Sequence, residues 1–564
     1  MNILRDYDQR SPIVAINGIC ATSQPLASQV GIDILKSGGN AADAAIAMAA
    51  TLSLTEPYST GLGGDCVVMF WNNKTKEISS INGIGRSPMN LTLDSLESKD
   101  RCGDQFHTRS VHAVTVPGAA AAWCDTIKQY GSGNLKLSQI FQPTIDYCEQ
   151  GVPIQVKTSF LWRFSSRLKP DNANELLCDG KKPEIGDTLT NVPLSNCLKL
   201  IAKHGKDGFY KGEVADSIIK AIQDHGGLMT HADLESHKST YDKPISINYR
   251  GYQIYELPPT SQGITSLMAL NILEGFEMNK YEPISDQYTH LLIESMRLSF
   301  ADAFSFVSDT EFSTIPIDEL LSKDYAASRR SLINEYKAND NIQNGYPLNS
   351  SNTVCASVVD KDGNVCCLFN SVFSEFGSGI IPKGCGFALQ NRGIIGGVVQ
   401  PVANVQAIVN LIDHKMDPQT VLNFPRFRIE KNGVIIYEPA LENTFKSMKE
   451  RGQNVGDKNV ETRYTFGLGQ IFVAKKNNQN QTVLIAGSDN RSDGIVIEKS
   501  VKSPLPNSDD NIFQFSIDHS LLFKYMFFLT YIFIWLISAC CLSKPIGVAI
   551  FVNILLFSLL RKRI

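Results

Sequence analysis

Ser351-Asn352-Thr353-Val354-Cys355-Ala356-Ser357-Val358-Val359-Asp360, followed at once by Lys361-Asp362-Gly363-Asn364, decides how this chain reads. Small polar residues approach a threonine that opens a β-patterned run, and an Asp-Gly pair closes that run in a tight turn. A second run, Val365 to Phe369, completes the pattern. Such a stretch presents a threonine as the first residue of a strand once the chain is cut before it. A threonine hydroxyl is a weak nucleophile without an adjacent base, and a freed α-amino group on the same residue can be that base. The stretch raises the question of whether this chain is a proenzyme that becomes active by cleavage before Thr353.

Upstream of this stretch the pattern is mainly helical. Pro25 to Lys36 carries apolar residues at Leu26, Val30, Ile34 and Leu35 and stops at Ser37-Gly38-Gly39, a helix end signal. Asn40 then caps a second helix running to about Leu54. Strands are expected at Cys66 to Trp71 and Ile78 to Asn82, then amphipathic helices from about Gly118 to Asn334, with a strand pair around Ile245 to Leu257. Downstream of the stretch a helix is expected from Val402 to Asp413, strands at Gly433 to Tyr437 and Gly467 to Ala474, and a polar hairpin tip at Asn477 to Gln481. Helices first and strands later, in a chain of 564 residues, fit a layered α+β sandwich.

Composition excludes several classes. A net charge of −4 and no basic cluster within the globular part argue against a nucleic-acid surface. The 13 cysteines are odd in number and have no C-x-x-C spacing, so neither a disulfide framework nor a zinc site is expected, and a reducing compartment is mildly favoured. The nine histidines form no H-x-x-x-H pair, and His225, His231 and His237, at six-residue steps, do not share a helix face. No metal and no cofactor are expected.

The two ends read differently. Met1-Asn2-Ile3-Leu4-Arg5-Asp6-Tyr7-Asp8 is polar where a secretory leader would be basic and then apolar. Tyr525 to Leu542 is an uncharged run of 18 residues, and a second apolar run, Ile546 to Leu560, precedes Arg561-Lys562-Arg563. The expectation is a hydrophobic membrane anchor at 521–564, one or two segments, joined by a polar linker at 500–520. The catalytic part is then expected on the cytoplasmic side, the basic triplet fitting a cytosolic end if the two runs form a hairpin; a single span with the catalytic part outside fits the charges too.

Several motifs carry a family resemblance. They include Gly38-Gly39-Asn40-Ala41-Ala42-Asp43-Ala44, Gly61-Leu62-Gly63-Gly64-Asp65, Gly85-Arg86-Ser87-Pro88 and Val114-Thr115-Val116-Pro117-Gly118. Tyr255-Glu256-Leu257-Pro258-Pro259 with Gln262-Gly263-Ile264, Glu294 to Asp302, and Leu389-Gln390-Asn391-Arg392-Gly393 continue the series in order. The chain resembles the γ-glutamyltransferase (glutathione hydrolase) proenzymes, and within them the bacterial acylase-like branch. The match runs from about residue 12 to 499.

This resemblance implies an N-terminal-nucleophile hydrolase fold, a four-layer αββα sandwich. Autocleavage would give a large-chain part, 1–352, and a small-chain part, 353–499, of one catalytic domain. Thr353 would attack a γ-glutamyl amide carbonyl and pass the acyl group to water or an amine acceptor. Arg86 falls where the family's arginine grips the glutamyl α-carboxylate, a task suited to its planar fork of donors. Ser371 occupies the place of a threonine that supports the nucleophile. Gly396 and Gly397 align with the glycines whose N–H groups form the oxyanion hole. Asp489-Asn490-Arg491-Ser492-Asp493-Gly494 resembles the closing motif of the small chain and reads as structural.

Departures from the family pattern also fall at the site. Val354 and Cys355 replace the usual Thr and His. Phe373 stands where an asparagine contacts substrate, and Arg392 where a glutamine does. Gly393 runs almost directly into Ile394-Ile395-Gly396-Gly397, without a pocket segment of a few tens of residues that the family places there. Two alternatives accordingly stay open beside the γ-glutamyl hydrolase: an amidase or acylase for another acyl group, and an uncleaved, membrane-tethered pseudoenzyme. The partners expected are a γ-glutamyl small molecule with water or an amine, and no nucleic acid; a homo-oligomer is left open.

Overall fold

The computed structural model describes residues 10–96, 101–102, 105–107, 109–165, 173–340, 342, 352–393, 399–430, 432–456 and 466–500. All of them lie in the first of two compact units, Met1–Val501.

The Asn352–Val359 strand pairs antiparallel with Val365–Phe373, and the Asp-Gly turn between them is tied down by one side chain. Asp360 Oδ1 accepts the N–H groups of Asp362 and Asn364, each at 3.0 Å, while Oδ2 accepts the N–H of Ala41 at 3.1 Å. The turn thereby docks on the first residue of a helix more than 300 residues away. Around this hairpin grows a six-stranded sheet in the spatial order Val496–Glu498, Ile19–Ala21, Asn352–Val359, Val365–Phe373, Asp65–Asn72, Glu77–Gly83. Every neighbouring pair in it is antiparallel.

Alternation splits the sheet's two faces. Val68, Phe70, Ala356, Val358, Cys366 and Leu368 face a helical layer and share its apolar core. That layer begins with Pro25–Lys36 and Ala41–Thr55. All fifteen residues of the second helix are buried, which its run of alanines permits because small side chains let a helix lie close against a sheet on one side and helices on the other. Asn40 caps it as expected: its side chain accepts from Ala42 and Asp43, and Asp43 reciprocates, a capping box worth about 1 kcal/mol.

On the other face, Ile19 and Val359 pack against Ala15, Leu484 and Ala486 of a three-stranded sheet, Ile13–Ala15, Thr482–Ser488 and Gln470–Lys476. A second helical group, Gly263–Leu273, Asp286–Phe306, Val399–Ile412 and Glu442–Glu450, has its own core with two hairpins, Ile245–Glu256 and Phe427–Tyr437. The chain is a mixed α+β fold in which sheets are covered by helices.

One expected strand is longer than its pattern suggests. Val365–Phe373 continues past Phe369 through Asn370 and Ser371, polar residues that end the apolar alternation. Both are buried and bonded: Asn370 Oδ1 accepts the Trp123 indole N–H at 2.9 Å and its amide donates to Gly61 O. A buried polar residue stays in a strand when its groups are satisfied.

The expectation of a C-terminal membrane anchor with a cytoplasmic catalytic part is corrected here. Among the described residues no helix is long and apolar enough to cross a membrane. The longest, Asp286–Phe306, has 21 residues but carries Asp286, Glu294, Arg297 and Asp302 along its length. The apolar runs at 525–542 and 546–560 lie outside the described residues, so no anchor, tether or location is assigned.

Candidate active site

The ends of the central strands open on a cavity of about 1080 Å³. Asp65, Val67, Cys355, Phe369 and Ser371 line it from the sheet, Arg86, Arg392 and Gly393 from neighbouring loops. Opposite walls come from Leu257 to Gly263, the segment 307–312, and Gly467 to Ile471.

Thr353 lies on the Asn352–Val359 strand two positions before Cys355. The ladder shifts register here: Asn352 pairs with Phe373 and Val354 with Asn370, so Thr353 faces both Ser371 and Val372 across the bulge. Bulges of this kind re-aim backbone next to functional sites. Ser371 is buried, and its Oγ accepts the Phe373 N–H at 2.9 Å. Phe373 itself has φ of 75°, a left-handed conformation uncommon for a bulky residue, and it ends the strand directly opposite Asn352. Fully buried against Ala113, Phe373 does not line the cavity.

Glycines in the matched motifs explain how the loops come so near. A methyl group on Gly85 would sit 1.5 Å from the carbonyl oxygen of Val116, and one on Gly64 would sit 2.5 Å from that of Ser371. Only hydrogen fits at either place. Gly85 then donates its N–H to Asp65 Oδ1 at 2.9 Å, which fixes the backbone beside Arg86.

Arg392 is delivered by the segment Gln390-Asn391-Arg392, which docks through Gln390 N–H to Gly63 O at 2.9 Å and Asn391 N–H to Val372 O. Its guanidinium donates through Nε to Asp65 Oδ2 at 3.2 Å and lies over the Phe373 ring, 4.9 Å from the centroid. Burial pushes the Asp65 carboxyl up, while Arg392, Gly85 and Gln390 oppose the rise. Arg86 is engaged elsewhere: its two terminal nitrogens donate to the two carboxylate oxygens of Glu311, each at 2.6 Å. The hydrogen bonds to Glu311 raise the Arg86 pKa, and the same bonds hold Glu311 below the usual carboxylate range.

Arg86, Arg392 and Ser371 are thus brought to one cavity, with Thr353 on the strand beside Ser371. Gly396 and Gly397 lie outside the described residues. Sequence reasoning missed Glu311, separated from Arg86 by 225 positions with no motif of its own. Asp65 was visible within its glycine motif, but its bond to Arg392 spans 327 positions. Among the described residues no cluster of His, Cys, Asp or Glu could hold a metal ion.

Two further carboxyls border the cavity with burial pushing each up to about 7, namely Glu56 and Glu256. Glu56 is buried and accepts from Gln24 Nε2 at 2.9 Å. Its folded pKa lies above the ordinary 4.5, so the folded state holds its proton more tightly than the unfolded state. This contribution is fully present below pH 4.5 and is lost as pH rises through 7. The difference amounts to about 3 kcal/mol. Glu56→Gln, which cannot ionise, is expected to lose less stability than the parent between pH 5 and 8, measured by urea unfolding midpoints. Parallel pH profiles would contradict this.

The family model for gamma-glutamyltranspeptidase matches residues 27–394 and 392–498. The chain belongs to the gamma-glutamyltranspeptidase family. It is 31% identical over 521 residues to the glutathione hydrolase-like YwrD proenzyme of Bacillus subtilis, covering 84% of this chain and 96% of that one. It is 35% identical over 412 residues to the glutathione hydrolase proenzyme of the same organism, covering 69% and 70%. Among solved structures, the cephalosporin acylase from Bacillus halodurans superposes with a TM-score of 0.78 at 31% identity, over 88% of this chain and 99% of that one. The family match comes in two pieces that meet at residues 392–394.

Proposed function

We propose that this chain is a self-processing threonine hydrolase that cleaves γ-glutamyl amides such as glutathione. Cleavage between Asn352 and Thr353 would leave a large chain, 1–352, and a small-chain part, 353–499, of one catalytic domain. The relatives' designation as proenzymes supports this processing. The freed Thr353 amine takes the proton of its own hydroxyl, and the oxygen attacks the amide carbonyl. Gly396 and Gly397 are assigned to the oxyanion, Ser371 to support of the nucleophile. Collapse of the tetrahedral species expels the amine, and water or an acceptor amine then attacks the γ-glutamyl ester on Thr353.

The observation that carries the acyl specificity is Arg86. Its guanidinium faces the cavity and already takes a carboxylate in two-pronged geometry, as the glutamyl α-carboxylate would require. Charge-assisted bonds of this kind are worth about 1.5–3 kcal/mol. Arg86→Ala is therefore expected to raise KM for a γ-glutamyl anilide by about 10- to 100-fold.

A second reading is favoured by Arg392. Its guanidinium, seated on Phe373, already takes the Asp65 carboxylate on the wall of the same cavity, leaving that carboxylate engaged rather than open to a substrate ammonium. An acylase for a carboxylate-bearing acyl group without an α-amine fits that feature. Comparing γ-glutamyl with glutaryl anilide separates the two readings, since they differ only in that amine. The first requires the higher kcat/KM for γ-glutamyl; a preference for glutaryl would transfer the assignment to the second.

A further inference from the structure

The Arg86 contact has an unusual property: both partners are about half exposed, at 50% and 53% of their side chains, and stand on the cavity wall rather than in a core. Arg86 is fixed from behind, its carbonyl accepting the Val116 N–H at 2.9 Å and the preceding Gly85 held by Asp65. Glu311 is fixed on a turn built by Asp309. Asp309 Oδ1 accepts the Glu311 N–H at 2.9 Å, and its carbonyl accepts from Phe312 and Ser313. Two independently braced segments thus hold a carboxylate in the arginine's fork at the open side of the cavity. Lys238, also on the cavity wall, acts electrostatically on Glu311.

We propose that Glu311 is a specificity-determining residue: an internal carboxylate that occupies the Arg86 seat and that a substrate carboxylate must displace. This rests on the reading of Arg86 as the acyl carboxylate's partner. The consequence is selection by competition. An acyl group gains the arginine only if its own carboxylate outcompetes Glu311, whereas an uncharged acyl group gains nothing and leaves the pair closed. Lys238 offers the displaced Glu311 a second cation, so that opening does not strand its charge. Exposure makes the exchange feasible, because water screens the pair and solvates both partners when it opens.

The test is equilibrium binding of glutarate, which carries no amide bond and is not turned over, by calorimetry to the processed protein. Adding Glu311→Gln is expected to tighten glutarate about fivefold, the upper limit for such a pair, and to leave uncharged glutaramide unaffected. Adding Arg86→Ala is expected to weaken glutarate and to abolish the gain from Glu311→Gln. Unchanged or weaker glutarate binding in Glu311→Gln, with Arg86→Ala still weakening it, overturns the proposal and leaves the Arg86 reading standing. Binding indifferent to Arg86→Ala overturns both.

Discussion

Thr353→Ala is expected to lower amide hydrolysis by about a thousandfold or more and to leave the chain in one piece. The magnitude follows from removing an attacking group, which typically costs more than removing any residue that only orients it. Both effects have one origin, since the hydroxyl that would attack substrate is the group that would attack the Asn352 carbonyl in processing. The local structure supports the substitution without collapse. Position 353 sits at a register shift where the ladder is already interrupted, so no regular pairing is lost. The thermal midpoint should stay near that of the parent, while Thr353→Ser should keep slow processing and partial activity. Full activity in the alanine protein would remove Thr353 from the chemistry.

The second large effect concerns Arg491, which ties Leu422, Phe424, Glu438 and Asp489 together. Its side chain is fully buried and donates to Glu438 Oε1 at 3.1 Å, to Asp489 Oδ1 at 3.1 Å, and to the carbonyls of Leu422 and Phe424. Arg426 completes the group through Asp489 Oδ2 at 2.7 Å and the carbonyl of Gly467, on the cavity wall. Two guanidiniums and two carboxylates balance one another. Burial alone would raise the Asp489 carboxyl, but Arg426 and Arg491 together hold it below its usual range. Arg491→Met leaves two buried carboxylates facing one cation and is expected to cost about 3–5 kcal/mol. The measurement is the urea midpoint, with Arg491→Met/Glu438→Gln, which restores balance, recovering part of the loss. A parent-like midpoint in the single variant would contradict it.

Much of this architecture is legible in the sequence where a local rule acts alone. The helix Pro25–Lys36 ends at Ser37-Gly38-Gly39 and the next is capped by Asn40, both readable from neighbouring residues. The hairpin around Asp360 and Gly363 is equally local. Where burial overrides pattern, reading stops short, as at Asn370 and Ser371, whose polar side chains are satisfied by groups brought from Trp123, Gly61 and Phe373. The site shows the same division. Arg86, Arg392 and Ser371 are reachable through motifs, but the carboxylates that pair with the two arginines, Glu311 and Asp65, are brought to them only by folding across hundreds of positions. The apolar terminal runs suggested an anchor by hydropathy alone; they lie outside the described residues, and no described helix is long and apolar enough to cross a membrane.

N-terminal sequencing of the purified protein's fragments, separated on a denaturing gel, tests the central claim most directly. The account predicts a small fragment whose first residue is Thr353. A single intact band of 62.2 kDa, indistinguishable from that of Thr353→Ala, would contradict it.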